Sequence, residues 1–327
     1  MKRMLVMAAA AFALAACYPD YVGDYEVVAA GFANYSDVRS IVVGEKMEFS
    51  TGVALGGVID NNEDRKVAFS TDYSLVGSSL LSKMKVHKFT YIQDLMKDVD
   101  QLLPLPASMY SLETDGAPGV AVIGKGTHLG KITVKIDSLS FLSETDNLKP
   151  KYILPLRIMS AEGCGIMEGL ETTCIGVMYE AMLFGNWWHG GSAVVEDAGG
   201  QVVEEIDYSM EIPQSDSKVW TLTTSAPYSV TANAIGGELS GSAGLVVLTL
   251  GEDGTVDVAP APGSPYQVEP DGECRYNQAK LLQDRKIYLK YKYVKDGLVH
   301  HCTDTLKFRN RIRDGVNEWQ DENQDNY

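Results

Sequence analysis

Apolar and polar residues alternate with period two over most of this chain. In Lys131–Asp137, Ile132, Val134 and Ile136 point one way while Lys131, Thr133, Lys135 and Asp137 point the other. Lys286–Tyr293 repeats the pattern, with Ile287, Leu289, Tyr291 and Tyr293 set against Lys286, Tyr288, Lys290 and Lys292. Successive side chains of an extended strand face opposite ways, so such runs predict strands with one wet face. Shorter runs recur at Lys46–Val53, Arg65–Ser70, Gly119–Ile123, Tyr152–Ile158, Ile175–Met182, Val202–Ile206 and Ser217–Thr224, punctuated by many of the 31 glycines. This density predicts an all-β chain built as two antiparallel β-sandwich domains in tandem. One segment breaks the pattern. From Tyr91 to Leu103, Ile92, Leu95, Met96, Val99, Leu102 and Leu103 recur at helical spacing until Pro104, which predicts an amphipathic helix of about three turns covering one end of a sandwich. The pattern divides near Cys174–Gly185, giving a first domain over 25–178 and a β-sandwich or β-barrel-like domain over 179–327. Pro260, Pro262, Pro265 and Pro270 predict that Val258–Pro270 is a loop, and Asp321–Tyr327 reads as a polar tail.

The amino terminus follows a different rule. Lys2 and Arg3 precede an apolar run from Met4 to Leu14, and polar sequence follows at once. A membrane-spanning helix needs about 20 apolar residues, so residues 1–16 read as a cleaved export signal. Leu14-Ala15-Ala16-Cys17 resembles the bacterial lipobox, which implies a thioether-linked lipid on Cys17 and a tether over 17–24. Each buried methylene contributes roughly 0.8 kcal/mol, so several acyl chains would hold the protein on a membrane.

The whole chain has a formal charge of −16, and loss of Lys2 and Arg3 with the signal would take it to −18. A surface this acidic repels nucleic acid and anionic headgroups, leaves neutral partners favoured, and makes the lipid the membrane contact. With 45% apolar residues, a normal core is within reach. Cys164, Cys174, Cys274 and Cys302 form an even set in an exported protein and are candidate disulfides, with three connectivities open and Cys164–Cys174 and Cys274–Cys302 favoured by proximity. His300-His301-Cys302 does not converge on a metal if it lies on a strand, and no cofactor is expected.

Several stretches carry a family resemblance. Leu105–Leu112, Gly124-Lys125-Gly126 with Gly130–Val134, and Tyr152–Ile158 resemble the immunoglobulin-like amino-terminal domain of Bacteroidetes surface lipoproteins, a module that also precedes some family 18 glycoside hydrolases. Trp187–Gly191 and Thr305–Trp319 resemble the second domain of the same lipoproteins, which has no established function. The resemblance implies a cell-surface lipoprotein of the outer membrane, made alongside glycan importers in a polysaccharide-utilisation setting. Asp20, Asp24 and Glu26 look like that phylum's surface-export signal, and the helix at 91–103 lies in an insertion relative to the family pattern.

An enzymatic role finds little support. A family 18 hydrolase needs a barrel of about 250 residues after the first domain, and fewer than 160 follow Gly169. The chain holds no Gly-x-Ser-x-Gly elbow, His-Glu-x-x-His or phosphate loop. Neutral sugars, by contrast, lay their C–H faces on aromatic rings and hydrogen-bond nearby amides and carboxylates. Trp187, Trp188, His189, Trp220 and Tyr228 are the candidate glycan-binding residues, and the alternation rule requires one of the adjacent tryptophans to leave the core. Trp319 is expected to pin the tail, while Arg309, Arg311 and Arg313 are expected to share one face in surface ion pairs. The expected function is non-catalytic capture of a polysaccharide or host glycan for an outer-membrane importer. An adhesin or scaffold for another surface protein is the alternative, and a glycoside hydrolase-like enzyme comes last.

Overall fold

The computed structural model describes residues 24–208, 218–241, 243–321 and 323, so the signal, Cys17 and Asp20 lie outside the described residues. Nine strands of four or more residues carry the first domain: β1 (Ala29–Phe32), β2 (Ser36–Val42), β3 (Glu48–Gly56), β4 (Arg65–Thr71), β5 (Tyr110–Thr114), β6 (Val120–Ile123), β7 (Leu129–Ile136), β8 (Tyr152–Ala161) and β9 (Thr172–Glu180). One sheet runs β1-β3-β7-β5 and the facing sheet β2-β9-β8-β4-β6. The alternating residues of the sequence meet between them: Phe49, Val53, Ile132, Val134, Leu154, Leu156, Ile175 and Val177 form one core. The pairing of β2 with β9 is parallel, and the remaining long pairings of this domain are antiparallel.

The second domain adds β10 (Gly185–Glu196), β11 (Val202–Asp207), β12 (Lys218–Ala226), β13 (Ser229–Ala232), β14 (Val246–Leu250), β15 (Val256–Pro260), β16 (Gln267–Pro270), β17 (Lys286–Lys295) and β18 (Leu298–Asn310). They form one sheet in the order β15-β14-β13-β12-β10-β18-β17-β16, with β11 alongside the far half of β10. The sheet curls until its ends touch. Val256 N donates to Cys274 O (3.0 Å) and Tyr276 N to Gly254 O (2.8 Å), joining the β15 edge to the segment that pairs with β17. Trp187, Trp220, Leu222, Ile287, Leu289, Tyr291 and Leu306 fill this half-barrel.

Several expectations change. The helical pattern at 91–103 yields a helix only over Thr90–Met96, preceded by a second helix over Ser78–Lys85. Both lie on the outer face of the second sheet, where Leu80, Met84, Ile92 and Met96 pack with Val38, Ile153, Cys174 and Met178. Val99 and Leu102 reach the same small core in a non-helical path, because Leu103 N and Leu105 N donate to Lys151 O and Ile153 O along β8. The presumed loop Val258–Pro270 holds the end of β15 and all of β16, with Pro260 and Pro270 at strand ends where a missing N–H costs least. All four cysteines beyond Cys17 are free thiols. Cys164 packs between the two sheets whereas Cys174 faces the helices on the other side. Cys274 Sγ bonds the Lys290 backbone, while Cys302 sits opposite Tyr291 on the next strand.

The arginine row also departs from expectation. Arg309 is exposed, but Arg311 is buried at the junction of the two domains. Glu45, on the turn between β2 and β3, accepts from Arg285 Nη1 (2.8 Å) and from Arg311 Nη1 and Nη2 (3.1 Å each). Arg311 also donates to Glu318, which accepts from Arg313 Nε (2.6 Å), and Arg313 Nη1 reaches Ser40 O (2.6 Å). Asp314 returns the contact by accepting from Ser40 N (2.9 Å). Burial alone would raise the Glu45 carboxyl, but the Arg311 and Arg285 guanidiniums outweigh it and hold the group below its ordinary range. The linker is part of the same joint: Ala181 and Leu183 are buried, and Trp187 Nε1 donates to Leu183 O (3.0 Å). Glu180, last residue of β9, accepts from Thr224 of β12.

Glu45→Ala leaves two buried guanidiniums without their carboxylate, a loss of about 3–5 kcal/mol; urea unfolding is expected to move to lower concentration and to separate into two steps. Burial pushes the Glu180 carboxyl up to about 7 from an ordinary 4.5. Its neutral form therefore supports the fold fully below about pH 4.5, and that support is lost as pH rises through 7. Glu180→Gln should raise the melting temperature at pH 8, by the equivalent of about 3 kcal/mol, with the gain shrinking towards pH 4.5.

Candidate functional site

A cleft of about 790 Å³ opens where the two domains meet. From the first domain, the turn after β2 contributes Lys46, followed by Glu48 and Ser50 of β3; Gly44 makes that turn at φ +86°. From the second, the two-residue turn Pro227-Tyr228 joins β12 to β13, and Leu250 N fixes it by donating to Tyr228 O (2.8 Å). The Tyr228 ring is 54% exposed at the mouth. Tyr276, Gln278, Lys280 and Glu252 complete that wall, and Met182 of the linker lies behind. Gln278 holds the left-handed φ of +52°, with its amide laid over Gly254, where any Cβ would collide with it. Arg285 and Arg313 also reach the lining but are committed to Glu45 and Glu318. The remaining charges, Lys46 and Lys280 against Glu48 and Glu252, balance. An open aromatic ring among amide, carboxylate and ammonium groups is suited to a hydroxylated, uncharged ligand.

A second depression of about 420 Å³ lies at the side of the half-barrel, lined by His189, Tyr208, Lys218, Glu238, Tyr293 and His300. His189 forms its floor, stacked on Trp220 (5.0 Å, 25°) with Tyr208 tilted against it (4.9 Å, 49°). Its Nε2 lies 3.1 Å from Asp304 Oδ1, off the line of a hydrogen bond. Tyr291 donates to Asp304 Oδ2 (2.6 Å) and accepts from Gly236 N (2.6 Å). Burial pushes the Cys302 thiol and the Tyr208 and Tyr291 phenols upward, so all three stay protonated near neutrality.

The residues singled out in the sequence do not assemble into one platform. Trp187 and Trp220 face each other in register across β10 and β12, both fully buried, with Phe308 edge-on to Trp187 at 5.4 Å. His189 is 1% exposed. Trp188 leaves the core, as alternation demands, yet lies half-buried on the outer face with the Arg309 guanidinium 4.8 Å above its ring. Tyr228 alone among them reaches the interdomain cleft. Trp319 does not pin the tail: it is 79% exposed. The cleft's other residues carry no sequence signal, since Lys46 and Gln278 come together only through folding.

Residues 25–164 match a family model whose description reads "-like, N-terminal domain". No curated protein matches the chain. Among solved structures, a structural-genomics protein of unknown function from Bacteroides ovatus is 21% identical, with a TM-score of 0.62 over 88% of this chain and 95% of that one. A second B. ovatus protein of unknown function is 12% identical over 91% and 99% of the two chains, with a TM-score of 0.44. An auxiliary nutrient binding protein from Bacteroides thetaiotaomicron is 13% identical over 86% and 95%, with a TM-score of 0.38. The likeness to the first is one of fold, spanning both domains.

The buried and half-buried tryptophans differ in what they hold. Trp187→Ala is expected to cost about 3–5 kcal/mol, and Trp188→Ala less than about 1 kcal/mol; urea melts of the two variants against the parent check this ranking.

Proposed function

We propose that this protein captures extracellular polysaccharide or host glycan without hydrolysing it, from the outer-membrane surface, for a neighbouring importer. The observation that carries the reading is the interdomain cleft, with the Tyr228 ring open at its mouth and Gln278, Glu48 and Glu252 within the same lining. Sugar rings stack on such an aromatic face, and their hydroxyls pair with carboxylates and amides in either direction. The balanced charge of the lining favours a neutral chain. Walls drawn from two domains that a buried ion network already locks together need little ordering on binding, which preserves affinity. The lipobox-like stretch ending at Cys17 supports a membrane-held position from which to reach such material.

A second reading, a scaffold that binds another surface protein, draws support from one observation. On the carboxy-terminal hairpin, Ile312 and Val316 are 55% and 64% exposed, with Trp319 close behind in sequence. The register sets Ile312 and Val316 on opposite faces of the hairpin, so each face carries an exposed apolar group suited to protein contact.

Protein lacking residues 1–17 should be retarded in a native gel containing a neutral polysaccharide from a broad panel, with no release of reducing ends. Tyr228→Ala should weaken that retention by at least about tenfold, roughly 1.4 kcal/mol, while Trp188→Ala leaves it unchanged. Equal retention of the Tyr228 variant, or none by any member of the panel, would exclude the cleft as a glycan site.

A further inference from the structure

The outer face of the half-barrel collects basic residues that the rest of this acidic molecule does not neutralise. Trp188, Lys307 and Lys286 stand in one row across β10, β18 and β17. The next rows on the same face hold Thr305 beside Tyr288, and then Thr303 beside Lys290. Inward-facing Ile287, Leu289, Tyr291, Leu306 and Phe308 are buried, which fixes the alternate residues on the outside. Arg309 joins the patch above Trp188, and Tyr288 is 43% exposed.

Among the described residues, no carboxylate pairs with Lys286, Lys290, Lys307 or Arg309, whereas nearby Lys292 and Lys295 hold Glu269 (3.2 Å) and Glu238 (2.8 Å). The acids at the far end of this face, Asp271 and Glu196, lie against His301. Lysines without a carboxylate partner occur elsewhere, as at Lys125 and Lys131, but here three of them and Arg309 gather on one sheet face of a chain with 28 basic and 44 acidic residues. Lys307 and Lys286 are directly opposite on neighbouring strands, an arrangement that destabilises a sheet unless an anion lies over it. From strand geometry the cations spread over about 13 Å along β17 and occupy two neighbouring strands, and the row from Lys286 through Lys307 to Trp188 spans about 10 Å across three. That span exceeds one small anion and suits a chain bearing charge at intervals. Tyr288 and the edge of Trp188 supply rings for stacking, and Thr303 and Thr305 supply hydroxyls.

We infer that this face is a second contact surface, which binds an acidic polysaccharide through its carboxylate or sulfate groups. The inference rests on the glycan-capture reading for the class of polymer, and adds charge as a determinant that the balanced cleft does not supply. It also localises an anionic ligand on a protein whose net charge would otherwise repel it.

The test is native affinity electrophoresis of the protein lacking residues 1–17 in polygalacturonate (carboxylate), chondroitin sulfate (carboxylate and sulfate ester) and dextran as the neutral arm. Retention by at least one polyanion is expected, falling steeply as salt rises. The double variant Lys286→Gln/Lys307→Gln should bind about tenfold more weakly, and Tyr288→Ala should also lose affinity with an unchanged melting temperature. A control pair on the first domain, Lys125→Gln/Lys131→Gln, should have no effect. Polyanion retention that is absent, that survives Lys286→Gln/Lys307→Gln, or that drops equally in the control pair overturns the inference. If neutral glycans bind in a Tyr228-dependent way while polyanions do not, this inference fails and the cleft reading stands. If polyanions bind through Lys286 and Lys307 while no neutral glycan binds, the cleft reading fails and this one stands.

Discussion

One carboxylate, Glu45, holds the molecule in its two-domain form. It lies on a turn of the first domain and receives both guanidiniums of a pair, Arg285 and Arg311, that belong to the second. Taking three charged groups out of water is costly, and their mutual attraction offsets that cost only where geometry and further hydrogen bonds are good. Glu318 and the backbone of Ser40 supply those further bonds through Arg311 and Arg313. The joint is therefore specific rather than merely adhesive: a small rotation of one domain would strand a buried charge. The interdomain cleft inherits its shape from this constraint, because the turn that delivers Glu45 also places Lys46 and Glu48 along its wall.

The linker strengthens the same effect by a different force. Ala181 and Leu183 are buried with the half-barrel core, and the indole of Trp187 bonds Leu183 O. A connection so short and buried transmits position instead of permitting motion. Trp187, which in sequence looks like a ligand platform, is a bolt between linker and barrel. Its neighbour Trp188, one residue on, is turned to the opposite face and meets Arg309.

Period-two alternation is a local property, and it located most strands well. Lys286–Tyr293 has all four of its predicted inward residues buried. The rule that adjacent strand residues diverge also separated Trp187 from Trp188. What it could not supply is anything set by distant partners. Glu45 meets Arg311 across a separation of 266 residues, and neither residue is unusual where it stands. The helix at 90–96 stops early for a similar reason: Leu103 is drawn to the backbone of Lys151, and that bond outweighs continued helical spacing. Composition misled for β16, since prolines at 260 and 270 mark the ends of edge strands as readily as they mark a loop. Cysteine parity misled too, because Cys164 and Cys174 sit on opposite faces of a sheet and the Cys274 sulfur is engaged by the Lys290 backbone.

Strand β11 carries a different lesson. Among the described residues it bonds to β10 alone, and Val202 and Val203 are each 54% exposed, so its outer rim offers free amide and carbonyl groups beside apolar side chains. Such a rim invites another polypeptide to extend the sheet. Glu204, Glu205 and Asp207 follow at once on the same strand. Two copies approaching rim to rim would bring six carboxylates together, so crowding on a surface would be met by mutual repulsion before any ladder could form.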